Sequence, residues 1–71
     1  MPLSDYLKKL ILEVIKNLPE GKAHKPVEIV GASNFLLIEE GIGYDKEKYD
    51  LVGGIKENDK EYLIIMIAER A

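Results

Sequence analysis

The 71-residue chain has no cysteine, a formal net charge of −3 and an apolar share of 46%. The absence of cysteine excludes disulfide bonds and thiolate metal sites, and the apolar share is typical of a folded protein. The chain has five lysines and three acids in residues 1–27 but five cations and ten acids in residues 28–71, which is not the strongly basic balance of a typical nucleic-acid binder.

Length and composition predict one small domain, spanning residues 1–71. Gln, Thr and Trp are missing and Lys, Glu and Ile are frequent, a bias that resembles proteins from hot environments. No apolar run reaches about 18 residues and the first residues do not form a basic leader, so the sequence predicts a cytoplasmic location and no membrane partner.

The first predicted element is an amphipathic helix over roughly residues 4–18. Ser4 is a suitable N-cap, and Pro19 ends the element. The apolar face repeats at helical spacing and consists of Leu7, Leu10, Ile11, Val14 and Leu18. Leu12 points into the polar face. Two interpretations are open for it, an isolated exposed leucine, which is common, or a contact with a second subunit.

Residues 26–41 are compatible with two interpretations. As a helix, the segment has Pro26 at its first position, and Gly41 follows its last turn. As two strands, its apolar residues alternate on either side of a turn over residues 31–34. The helix, broken or kinked near Gly31, is the favoured prediction, and the strands are kept as the alternative. The preceding polar segment, residues 22–25, is a candidate for a brief edge strand.

A short third helix is predicted over roughly residues 45–52. Asp45 is an N-cap candidate, and Tyr44 and Tyr49 occupy the two positions of a hydrophobic staple. Gly53 is placed to end this helix in a left-handed conformation. Several independent local signals therefore favour the same short helix.

The chain closes with a predicted β-hairpin around the two-residue loop Asn58-Asp59, since both residues tolerate positive φ. This register gives the cross-strand pairs Glu57–Lys60, Lys56–Glu61 and Ile55–Tyr62. The last strand is apolar on both faces, which predicts cover on both sides. The first strand of the hairpin can be only about four residues long because of Gly53-Gly54, so the far half of the last strand needs another partner, for which residues 22–25 are available.

This order of helix, short strand, helix, turn, helix and hairpin resembles a winged helix-turn-helix domain. The likeness is carried by LLIEEGIGYDKEKYDLVGGIKENDKEYLII, residues 36–65, whose glycine turn, third helix and Gly-Ile wing look like those of that superfamily. The predicted fold class is therefore α+β and winged helix-turn-helix-like, with three helices plus a C-terminal β-hairpin. The alternative is one helix packed on a four-stranded antiparallel sheet, with residues 26–40 as strands.

The resemblance implies a small nucleic-acid-binding protein, a transcriptional regulator that contacts duplex DNA through its third helix and wing. Lys46 and Lys48 of the third helix would enter the major groove or touch phosphates. Backbone contacts would come from Lys56, Lys60, Lys22 and Lys25. Both elements also carry several acids, which departs from the superfamily and weighs against direct DNA contact.

The second hypothesis is a non-catalytic protein-interaction or dimerisation module on the same fold that does not bind DNA. A homodimer is its simplest form. The last strand is apolar on both faces, and a second copy packed on it would add buried apolar surface to a chain whose own core is small. The residues predicted to contact the partner are Leu12, Leu63, Ile65 and Ile67.

No segment carries a catalytic or cofactor signature. His24 is the single histidine and lies in a polar segment typical of a solvated surface. Gly41-Ile42-Gly43 lacks the further residues of a P-loop or a dinucleotide fingerprint. The sequence therefore predicts no enzyme activity, no catalytic residue, no metal site, no cofactor and no small-molecule substrate.

Overall fold

The computed structural model describes residues 4–19 and 24–69, which form one helix and a four-stranded antiparallel sheet. The elements are α1 (Asp5–Lys16), β1 (Val27–Glu28), β2 (Phe35–Glu39), β3 (Tyr49–Glu57) and β4 (Lys60–Ile67). The strands lie in the order β1-β2-β4-β3, so β3 and β1 are the edge strands. The prediction of three helices plus a hairpin is therefore wrong, and the observed architecture is the one kept as the alternative.

The first predicted helix is confirmed as α1, and its ends are held by side chains. The Ser4 Oγ accepts a hydrogen bond from Leu7 N–H at 3.1 Å, which satisfies one of the unpaired donors of the first turn. At the other end, the Asn17 side-chain amide donates to the carbonyl of Glu13 at 2.9 Å. Pro19 follows the end of the helix, as its missing N–H and its ring require.

Replacing Ser4 by alanine is expected to lower the free energy of unfolding by about 1 kcal/mol, because the Leu7 N–H then loses its acceptor. Urea unfolding followed by circular dichroism measures the change. Ser33→Ala, in the exposed turn before β2, is the matched control and should change stability by less than about 0.5 kcal/mol. An equal effect of the two substitutions would contradict the capping role.

Residues 26–41 form strands and a turn, so the favoured helix there is wrong. Gly31 has φ +88° and Asn34 has φ +70°, and these left-handed conformations are incompatible with a helix interior. Ile29 N–H donates to the carbonyl of Phe35 at 3.3 Å across this turn. β1 then pairs with β2, and Phe35–Glu39 becomes an inner strand between β1 and β4.

The predicted third helix is also wrong, although its first turn is real. The Asp45 carboxylate accepts from Glu47 N–H at 2.9 Å, and the Asp45 carbonyl accepts from Tyr49 N–H, also at 2.9 Å. The chain then leaves this single turn and continues as β3. Eight of the nine residues of β3 pair with β4, and such long-range pairing outweighs local helix signals, each of which contributes only about 1 kcal/mol or less.

The predicted hairpin is confirmed in loop and register. Asn58 has φ +53° and Asp59 has φ +62°, the conformations of a type I′ turn, and all three predicted cross-strand pairs are observed. The strand before the loop, however, is not limited to four residues. A β-bulge at Val52, between Leu51 and Gly53, lets the pairing continue along β4. The far half of β4 pairs with β2 on one side and with the first part of β3 on the other, so residues 24–25 are not its partner, and residues 22–23 lie outside the described residues.

The core lies between α1 and one face of the sheet. The buried cluster on this side consists of Leu7, Ile11, Ile15, Ile29, Leu37, Tyr62 and Ile64. The face of the sheet away from α1 is called the second face here, and it is also partly covered. Ile38 and Ile65 lie on it and are only 1% and 0% exposed, although neither belongs to the cluster under α1.

The cover on the second face is provided by the crossover, residues 40–48, which joins β2 to β3. These two strands are separated by β4, so the connection must pass over one face of β4. Ile42 and Tyr44 of the crossover are half-buried, and neither belongs to the helix-side cluster. The crossover therefore passes over the second face and buries Ile38 and Ile65 there.

Candidate interaction surface

Among the described residues, the outer edge of β3 is the longest strand edge that has no neighbouring strand. This strand runs for nine residues, and within residues 4–19 and 24–69 no other strand pairs with its outer side. An edge strand presents backbone N–H and C=O groups that can pair with another chain. Which groups face outward is decided by the hydrogen-bond pattern between β3 and β4.

Alternate residues of β4 direct their backbone groups to opposite neighbours, as in any antiparallel strand. Ala68 N–H donates to the carbonyl of Lys48 at 2.9 Å, on the side of β3. Ile67 N–H donates to the carbonyl of Asn34 at 3.3 Å, on the side of β2. Even-numbered residues of β4 therefore bond to β3, and odd-numbered residues bond to β2. The two-residue hairpin loop agrees, because it makes Glu57–Lys60 a hydrogen-bonded pair.

Three residues of β3 consequently turn their backbone N–H and C=O groups outward. They are the ones opposite odd-numbered residues of β4, namely Leu51, Gly54 and Lys56. Tyr49 also lies opposite an odd-numbered residue, but its N–H is already bonded to the carbonyl of Asp45. We call Leu51, Gly54 and Lys56 the β3 edge.

The second face beside the β3 edge combines an exposed leucine with a notch. Leu51 is 55% exposed and points to the second face, on the same side as its buried neighbour Ile65. Because Gly54 has no side chain, it leaves an open notch of about 250 Å³ next to Leu63. The residues lining the notch are Gly54, Ile55, Lys56, Glu61, Tyr62 and Leu63. The local signals of the sequence predict a helix at Leu51 that ends at Gly53, so they do not predict this arrangement.

The four residues predicted to contact a partner do not form one surface. Leu12 is 38% exposed and lies on α1, beside the hairpin tip of its own chain in a depression of about 300 Å³. Ile67 is 48% exposed on the second face, and Leu63 is half-buried there. Ile65 is 0% exposed within the single chain, so its side chain cannot contact a partner. The cause is the crossover, which the prediction of a third helix did not place over this strand.

The predicted DNA-contacting lysines lie at opposite ends of the β3–β4 hairpin. Lys46 and Lys48 are in the turn before β3, whereas Lys56 and Lys60 flank the hairpin loop. Lys56 follows Lys48 by eight positions along the strand, which corresponds to roughly 26 Å. Lys56 and Lys60 also lie opposite Glu61 and Glu57 in the register. Lys25 is exposed before β1, and Lys22 lies outside the described residues.

A second apolar groove lies between the C-terminal half of α1 and the short edge strand β1. Its volume is about 430 Å³, and its lining consists of Leu10, Glu13, Val14, Asn17, Leu18, Val27, Glu28 and Val30. Val30 is 80% exposed at its rim. β1 contributes only two paired residues, so this edge offers much less backbone for strand pairing than β3 does.

Two carboxyl groups lie together on the surface where β2 ends. Glu40 N–H donates to the carbonyl of Glu61 at 2.9 Å, which brings the two side chains side by side. Their hydrogen bond and their mutual repulsion raise the pKa of Glu40 above its ordinary value. The protonated form of Glu40 is therefore favoured in the folded state, and this stabilisation is lost as the pH rises through the raised pKa.

Replacing Glu40 by glutamine is expected to raise the melting temperature at pH 7, because it removes the repulsion between two ionised carboxylates. The increase should disappear at about pH 3, where Glu40, whose pKa is raised, is protonated and uncharged in the unchanged protein. Thermal unfolding at the two pH values measures it. Glu47→Gln, in the exposed turn before β3, is the control. An increase that is the same at both pH values would contradict the repulsion.

The described residues offer neither a set of metal ligands nor a helix that could cross a membrane. Among the described residues, no group of three or more His, Asp or Glu side chains is arranged to hold a metal ion. His24 is exposed, and its Nδ1 lies 3.9 Å from the Glu39 carboxylate. In the same part of the chain, no helix has the length and apolar character needed to cross a membrane.

Comparison with protein-family models, curated proteins and solved structures found no match to this chain. These comparisons neither support nor oppose membership of the winged helix-turn-helix superfamily. The second and third helices that carried the resemblance are absent from residues 26–52, where the structure has β1, β2, the crossover and the first part of β3.

Proposed function

We propose that this chain is a non-catalytic protein-interaction module that works as a homodimer. The observation that supports this most directly is the outer side of the nine-residue strand β3, which no other described strand pairs with and which carries the β3 edge and its exposed Leu51. Strand addition to such an edge gives affinity through main-chain hydrogen bonds and specificity through side chains on each face.

A second copy would also increase the apolar surface that each chain buries. A chain of this length buries only about 60% of the surface that its unfolded form exposes, so its stability margin is small. Oligomerisation is one of the few ways in which a small domain without disulfides or metals gains buried apolar area. Leu51 and Ile67 are the large apolar residues exposed on the sheet, and both lie on the second face.

The molecular mass in solution tests the proposal. We expect sedimentation velocity to show a species of twice the 8.0 kDa chain mass, formed reversibly as the concentration rises from about 5 µM to about 1 mM. A contact limited to one strand edge is small, which is why the transition is expected in this range rather than at nanomolar concentration. A mass of one chain at every concentration would refute the homodimer.

Binding to duplex DNA stays a prediction of the sequence. It has less support, because the predicted lysines are separated by roughly 26 Å and two of them face glutamates across the hairpin. We expect a mixed-sequence duplex at low salt to cause no saturable change in amide spectra. A saturable change that is reversed by added salt would favour the DNA-binding hypothesis instead. A cytoplasmic location likewise stays a prediction.

A further inference from the structure

We propose that two copies pair antiparallel through their β3 edges, with Leu51 of each copy directly opposite Gly54 of the other. This inference rests on the proposed homodimer and specifies its interface. It joins two four-stranded sheets into one continuous sheet of eight strands.

The backbone groups of the β3 edge match themselves in this register. Leu51 and Gly54 both turn N–H and C=O groups outward, so each Leu51–Gly54 pair across the interface can exchange two hydrogen bonds. Two residues further along, Lys56 N–H lies opposite the carbonyl of Tyr49 in the second copy. The two-fold axis passes between Val52 and Gly53. An isologous contact of this kind closes at two copies and does not extend into a fibre.

The bulge favours a second copy over an unrelated strand. A β-bulge bends its strand and normally protects an edge from pairing with a straight neighbour. Here the bulge at Val52 lies immediately beside the two-fold axis of the proposed dimer. The facing strand is bent at the same point in the same way, so the two bends coincide. A straight strand of another protein would lack this match.

The side chains are complementary on both faces of the sheet. On the second face, the exposed Leu51 of one copy lies over the notch of about 250 Å³ beside Gly54 of the other. A cavity of about 150 Å³ already holds a benzene molecule, so the notch has room for a leucine side chain. On the helix side, Lys48 comes opposite Glu57 of the second copy. An exposed pair of this kind adds little affinity, but it disfavours other registers.

The first test compares two aspartate substitutions at exposed leucines. Leu51→Asp is expected to raise the dissociation constant of the dimer by at least about 30-fold, because it places a carboxylate over the notch. Leu12→Asp, on α1, is expected to change it by less than about 3-fold. Circular dichroism checks that both variants fold. A dimer that survives Leu51→Asp, or one that is broken by Leu12→Asp alone, overturns the proposed interface.

The second test uses the absence of cysteine to measure the register. Lys48→Cys and Glu57→Cys place single thiols at positions that face each other only across the proposed interface. Each thiol should lie within about 6 Å, Cα to Cα, of its counterpart, as a disulfide requires. We expect an equimolar mixture to form a disulfide-linked heterodimer under mild oxidation, at least about 10-fold faster than either variant alone. Equal rates in the mixture and in the separate variants overturn the register.

The results of these tests distinguish a failure of the proposed interface from a failure of the proposed homodimer. If the unchanged protein is a single chain up to about 1 mM, the proposed function and this inference both fail. If it is a dimer that tolerates Leu51→Asp, the homodimer stands and the β3 edge is not its interface. If Leu51→Asp dissociates it but the cysteine mixture gives no preferential cross-link, the register Leu51–Gly54 is overturned.

Discussion

Replacing Ile65 by alanine is expected to lower the free energy of unfolding by about 2–5 kcal/mol, although this side chain points away from the helix. Ile65 is 0% exposed and lies between Leu36 of β2 and Leu51 of β3 in the register. Truncation would leave a cavity under the crossover, residues 40–48, where the surrounding chain can collapse only in part. Urea unfolding at about 5 µM protein, where the single chain is expected to dominate, gives the value.

Ile67→Ala is the matched control, because Ile67 is the same residue type on the same strand and the same face. It is 48% exposed, so its truncation should cost less than about 1 kcal/mol. Ile64→Ala, also 0% exposed but under α1, should cost as much as Ile65→Ala. Equal and small losses at Ile65 and Ile67 would contradict the idea that the crossover forms a second layer of core.

The sequence could predict the elements whose cause is local. The helix over Asp5–Lys16 follows from its apolar spacing and from Ser4, and the hairpin follows from Asn58-Asp59 and from charge pairs beside the loop. Each of these features depends on residues fewer than about 15 positions apart, so periodicity and turn chemistry are sufficient to find them.

The predictions from the sequence were wrong where a local signal favoured one structure and a long-range contact imposed another. Asp45 does accept hydrogen bonds as a helix cap would, but Tyr49 and the following residues pair with the far end of β4. No residue within 45–52 indicates that this side of β4 is available for strand pairing. Residues 26–41 did carry local signals against a helix, among them Gly31 and Asn34, which in fact adopt positive φ.

The β3 edge could not be predicted from the sequence for the same reason. An edge strand is defined by the order of strands in the sheet, and the order β1-β2-β4-β3 cannot be read from any one segment. Once β3 is placed at the edge, Leu51 becomes an exposed contact residue. The two-sided apolar pattern of β4 correctly indicated cover on both faces. It could not indicate that the crossover of the same chain, rather than a second subunit, covers Ile65.

Proline substitutions at two adjacent residues of β3 should therefore have very different effects. Asp50 lies opposite Met66, so its N–H belongs to the ladder between β3 and β4, whereas the N–H of Leu51 faces outward. Asp50→Pro is expected to lower the free energy of unfolding by roughly 2–4 kcal/mol, since it removes a ladder bond and adds steric conflict. Leu51→Pro should cost only about 1 kcal/mol in the single chain, because edge strands tolerate proline where the N–H faces solvent.

This comparison distinguishes the strand from the helix that the sequence favoured. In a helix over residues 45–52, both positions would lie in the interior, and each proline would be strongly destabilising at about 3 kcal/mol. The two proline substitutions also test the dimer interface, because Leu51→Pro removes an N–H that the interface uses and leaves the hydrogen bonds between β3 and β4 intact. We therefore expect Leu51→Pro to yield a folded single chain even at high protein concentration. Similar losses of stability at the two positions would contradict the alternation of hydrogen bonds from which the β3 edge was inferred.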